Sequence, residues 1–86
     1  MANFIVIPLS EDKETIGNLI SEKFGNACFC LPNGDWLISY IGTSKQLSDD
    51  LGLSDGTNGK SMIVNFSGYW GYANNEIWEW LSEFSK

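Results

Sequence analysis

The side chains with chemistry to offer are carboxylates, two thiols and a cluster of aromatic rings. Glu76, Glu79 and Glu83 fall at i, i+3 and i+7, so on a helix they line one face as an acidic ridge. Such a ridge fits a basic protein surface or imitates nucleic-acid phosphates; as a plain solvated face it does no more than aid solubility. Asp49, Asp50 and Asp55 form a second acidic group with the same two readings, and their spacing does not repeat a calcium loop. In Phe66-Ser67-Gly68-Tyr69-Trp70-Gly71-Tyr72, a glycine-bearing loop carries Tyr69, Trp70 and Tyr72. Such rings serve as rigid binding anchors, or pack down on Trp78 and Trp80 to close a small core.

Catalytic chemistry is poorly supplied. The chain has no histidine to act as a base near neutral pH, and no serine or cysteine sits in a recognised nucleophile setting. The reading is of a non-enzyme with no catalytic residues and no cofactor. Cys28 and Cys30 stand two apart on a predicted strand, pointing to the same face, where a disulfide would close no useful loop. Without His or further Cys they supply too few ligands for zinc, so they are expected to be small buried hydrophobes and no metal is assigned.

Charge narrows the partner. Eleven acidic residues against five lysines, with no arginine, give a net charge of −6. A nucleic-acid binder needs a basic patch, and arginine is the usual group for phosphate and guanine, so direct DNA or RNA binding is disfavoured. The expected partner is a protein, with a basic nucleic-acid-binding surface as the sharper version. Apolar runs such as Phe4 to Ile7 are too short for a bilayer and no signal-like N-terminal pattern precedes them, so a cytoplasmic protein is expected.

The elements that must position these groups follow from periodicity. At 86 residues, with four Trp, five Phe and three Tyr, one domain with a real core is expected over 1–86. Phe4 to Leu9 reads as a strand buried on both faces and ending near Pro8. Ser10 caps a helix bearing Ile16, Leu19, Ile20 and Phe24, which Gly25 terminates. Ala27 to Leu31 reads as a second strand, reversed by Pro32-Asn33-Gly34-Asp35 into a third, Trp36 to Ile41. Thr43 and Gln46 match a capping box for a short helix with Leu47 and Leu51 inward, ended by Gly52 and Leu53. Ser54 to Lys60 connects to a fourth strand, Ser61 to Ser67. Asn74 or Asn75 then caps a last helix with Ile77, Trp80, Leu81 and Phe84 as its stripe.

Strand, helix, strand, strand, helix, strand is the order of a ferredoxin-like β-α-β-β-α-β sandwich, an α+β fold, here with an added C-terminal helix. The antiparallel sheet is expected in the order 4-1-3-2, with the last helix over an edge or an open face. An open face would favour a homodimer.

Gly34 to Tyr40, Thr43 to Leu51, and Lys60 to Phe66 with Ile77 to Leu81 resemble the loosely named SinR-like family of small bacterial proteins. That family is similar to the dimeric CRISPR-associated endoribonuclease, and the resemblance implies a ferredoxin-like fold and a dimer. The nuclease relatives carry a metal-binding aspartate at the end of strand one. Here that place reads Ile7-Pro8-Leu9-Ser10, and the nearest acids are Glu11 and Asp12.

The reading is therefore a non-enzymatic, acidic protein-binding module acting through Tyr69, Trp70, Tyr72, Glu76, Glu79 and Glu83. Its sharper form is a phage or mobile-element anti-defence inhibitor, such as an anti-CRISPR that mimics nucleic acid. The competing readings are a divergent metal-dependent nuclease using Glu11 or Asp12, and a structural subunit that assembles as a homo-oligomer.

Overall fold

A computed structural model describes residues 2–9, 13–56, 58–68, 71 and 75–84. In chain order the elements are β1 (Ala2–Pro8), α1 (Lys13–Phe24), β2 (Cys28–Cys30), β3 (Trp36–Tyr40), α2 (Ser44–Leu51), β4 (Ser61–Phe66) and α3 (Asn75–Phe84). The four strands form one antiparallel sheet ordered β2-β3-β1-β4, which from the other edge reads β4-β1-β3-β2.

The apolar run at the N-terminus becomes β1 because it is a central strand with both faces covered. It pairs with β3 from Ala2↔Tyr40 to Val6↔Trp36, and with β4 from Asn3↔Phe66 to Pro8↔Ser61. Pro8 has no N–H to give to the ladder and sits at the strand's last position. On one face Phe4, Val6 and Ile38 meet Ile16 and Ile20 of α1, Leu47 and Leu51 of α2, and Leu53. The six largest fully buried side chains, Phe4, Ile16, Ile20, Ile38, Leu47 and Val6, all belong to this layer. Each contributes about 1.5–3 kcal/mol of burial.

Local chemistry sets the boundaries. In the β2–β3 reversal Gly34 N–H donates to Leu31 O at 3.0 Å, and Asn33 Oδ1 accepts from Asp35 N–H at 3.1 Å. Gly34 has φ 93°, a conformation that favours glycine. The box at the start of α2 is complete: Gln46 N–H donates to Thr43 Oγ1 at 3.1 Å and Thr43 N–H to Gln46 Oε1 at 2.8 Å. At its end Gly52, at φ 69°, donates to Asp49 O while Leu53 N–H donates to Ser48 O, the paired bonds of a Schellman cap. The helix α1 ends at Phe24 and Gly25 takes the expected left-handed conformation at φ 51°, but a 3-10 turn, Gly25–Ala27, then intervenes before β2 begins. The turn takes Ala27 and the reversal takes Leu31, which leaves β2 three residues long.

The opposite face of the sheet is covered by α3. Trp80 and Leu81 are buried against Leu37, with Ile5, Phe29, Leu31, Phe66, Ile77, Trp78 and Phe84 packed around them. Trp80 stacks on Phe84 with ring centroids 5.0 Å apart, and its indole N–H donates to Asn26 O at 3.4 Å. Layers of α1 with α2, sheet, and α3 result. Of the two places expected for the last helix, an edge or the open face, α3 takes the face, over Leu37 and Phe29, while Met62 and Val64 of β4 remain exposed.

Candidate functional site

The acidic ridge is in place on α3. Glu76, Glu79 and Glu83 are all exposed, while Trp80 and Leu81 of the same helix are buried. At 3.6 residues per turn the three carboxylates fall within an arc of about 60°, spread over about 10 Å of helix axis. Among the described residues no ion pair or hydrogen bond engages them, and the last turn of α3 holds no basic residue. Packing of Trp80 and Leu81 fixes the helix on the sheet, so the row of charges is presented by a rigid element.

Asp49 and Asp50 behave differently. The Tyr40 hydroxyl donates to the Asp50 carboxylate, and Lys23 Nζ donates to the Asp50 carbonyl at 2.8 Å. Asp49 Oδ1 lies 2.5 Å from Ser54 Oγ, and Asp49 Oδ2 accepts from Lys45 Nζ at 2.9 Å. The Ser54 hydroxyl and then Lys45 hold the Asp49 carboxyl below its ordinary value, while the bond to Asp50, with burial and the nearby carboxylate charges, raises the Tyr40 phenol. These groups spend their hydrogen-bonding capacity tying α2 to β3, α1 and the following loop. Asp55 is exposed in that loop. The two acidic groups, alike in sequence, thus divide: the aspartates of α2 serve the fold and the glutamates of α3 face outward, unengaged among the described residues.

Tyr69, Trp70 and Tyr72 lie outside the described residues, as do Glu11 and Asp12. Among the described residues no three His, Cys, Asp or Glu side chains come together as metal ligands, and no helix is long and apolar enough to cross a membrane.

Two features depart from the sequence reading. The cysteines share a face, Cys28 opposite Ile38 and Cys30 opposite Trp36, but they are not buried: Cys28 is half-buried and Cys30 exposed. Their strand lies at the edge of the sheet, with no further strand beyond it among the described residues. Cys28 Sγ donates to Gly25 O at 3.1 Å, and partial burial, then the neighbouring Cys30, push its thiol up. The second feature is an apolar cleft of about 280 Å³ between α3 and the sheet, bordered by Ile5, Phe66, Ile77, Trp78 and Leu81. On β4, the strand that carries Phe66, Val64 is 39% and Met62 55% exposed. In the sequence this strip is the alternation Met62, Val64, Phe66.

The sequence matches no known family model and no curated protein.

Proposed function

We propose that this chain is a non-enzymatic, acidic protein-binding module built on a ferredoxin-like β-α-β-β-α-β core, with α3 as the added docking helix. The observation that carries the reading is the row Glu76, Glu79 and Glu83, exposed and without a partner among the described residues, on a helix anchored by buried Trp80 and Leu81. Charges spaced about 4.5 and 6 Å along the helix axis form a regular row of like charge, coarser than the 3.4 Å rise per phosphate of one DNA strand. The partner is a protein whose basic groove otherwise receives nucleic acid, as an anti-defence inhibitor would require. An exposed free thiol at Cys30 favours a reducing compartment, the cytoplasm.

The test is affinity capture from cells expressing CRISPR and other nucleic-acid-directed defence effectors. The wild type is expected to retain a basic partner that salt of about 0.5 M releases, since exposed charges are screened over a few ångströms there. Glu76→Lys with Glu79→Lys and Glu83→Lys is expected to lose it. Undiminished capture by that variant sinks the reading.

A further inference from the structure

Cys28 and Cys30 sit on the β2 edge and take part neither in the acidic ridge nor in a disulfide. They pair with Ile38 and Trp36, which look toward α1, so both sulfurs stand on the α1 face of the sheet. Phe29 between them points the other way and packs against Trp80 with ring centroids 6.2 Å apart, which fixes the orientation of the strand. Beside Cys30 a groove of about 450 Å³ opens between α1 and the β2–β3 reversal, bordered by Lys13, Glu14, Asn18, Ser21 and Trp36.

Spacing decides what such a pair is able to hold. Two residues of strand put the Cβ atoms about 6.6 Å apart, beyond the roughly 3.5–4.5 Å that a disulfide requires. Two thiolates on one metal ion, each at about 2.3 Å from it, stand about 4.6 Å apart when in line, and the sulfurs reach that separation if each leans about 1 Å toward the other. Their present contacts hold neither back. Cys28 Sγ donates to Gly25 O at 3.1 Å and Cys30 Sγ to Leu31 O at 3.5 Å, and thiols are weak donors.

We propose that Cys28 and Cys30 bind one copper(I) ion between them as a two-thiolate site. Ligand number and softness select the ion. Structural zinc takes four ligands, and among the described residues no three His, Cys, Asp or Glu side chains come together to supply them. Copper(I) is soft, prefers thiolate, and is satisfied by two of them in line. Loading is ligand exchange without redox. Two S–Cu bonds to a small-thiol carrier break, two to Cys28 and Cys30 form, and the cysteine protons pass to the departing thiolates, so copper stays in the +1 state. A reducing compartment keeps the cysteines available as thiols. The groove admits the carrier to Cys30, the exposed sulfur, and Lys13 on its wall offsets the single negative charge of the complex. The site is separate from the docking reading of α3 and does not rest on it.

Anaerobic titration of the reduced full chain with copper(I), in competition with a chromogenic copper(I) chelator, tests the proposal. One copper per chain is expected, with no copper-dependent change in particle mass by sedimentation. Cys30→Ser alters an exposed side chain, so its far-UV circular dichroism stays as in the wild type, and it is expected to weaken copper binding at least about a hundredfold. Copper K-edge absorption of the loaded protein supplies the second measurement, with two sulfur neighbours and no nitrogen expected. Undiminished binding by Cys30→Ser, one ion bridging two chains, a nitrogen or a third sulfur in the shell, or zinc displacing copper at equal concentration overturns the proposal.

Discussion

Removing the Trp80 ring is the most severe test of how α3 is held. The residue is 8% exposed, stacks on Phe84, tilts against Phe29 at 6.2 Å between centroids, and donates to Asn26 O. A buried indole removes about 200 Å² of surface from water, worth about 5 kcal/mol at 25 cal/mol per Å². Allowing about 10–40% for burial already present in the unfolded chain leaves about 3–4.5 kcal/mol, within the range measured for aromatic-to-alanine changes in cores. An 86-residue domain at about 0.05–0.15 kcal/mol per residue holds only about 4–13 kcal/mol in all. Trp80→Ala is therefore expected to lower the urea midpoint by about 3 M at a slope of about 1 kcal/mol per M. Trp80→Phe keeps a ring against Phe84 but loses the indole bond, and should cost about 1–2 kcal/mol. A midpoint shift below about 1 M for the alanine variant would show that α3 is not fastened by this side chain, and the rigid acidic ridge would lose its foundation.

Thr43→Ala removes one half of the α2 capping box and is expected to cost about 1 kcal/mol, read as a lower thermal midpoint with unchanged far-UV dichroism. Asp49 titrates below its ordinary value in the fold, so its contribution is present above the unfolded value and is lost as pH falls through the folded one. Ser54→Ala takes away the principal cause, and the Asp49 carboxyl-carbon titration followed by NMR should move up; an unmoved curve refutes the assignment.

What was legible in the sequence is what short-range chemistry decides. The Thr43–Gln46 box, the Gly52 terminator and the Pro32 to Asp35 reversal each depend on residues within a few positions, and each is present with its expected bonds. The two-sided apolar character of Phe4 to Ile7 pointed correctly to a central strand because a run without polar alternation has no solvent face to offer. Exposure was not legible. Cys28 and Cys30 read as buried on composition, yet their strand falls at an edge, a matter of sheet order rather than of residue type. Ile41, assigned to the third strand, lies beyond its end and is 77% exposed. Met62 and Val64 are uncovered because α3 sits over one half of its face, and the position of a helix across a sheet is set by long-range packing that helical periodicity does not encode. The same limit kept the two acidic groups indistinguishable until Tyr40, Ser54 and Lys45 were seen to engage the aspartates.

The central place of β1 also dictates an order of events during synthesis. Its residues are made before those of the other three strands, yet Phe4 lies between Ile38 on one side and Asn65 on the other, and the second of these is added about sixty residues later. The nascent chain must hold a strand apolar on both faces without its second neighbour while α1, β2, β3 and α2 are made. Sheet completion by so distant a pairing is slow in kind, because the closing loop must be ordered before the contact rewards it. Ribosome-bound chains halted before β4 would therefore be the forms of this protein most in need of a chaperone.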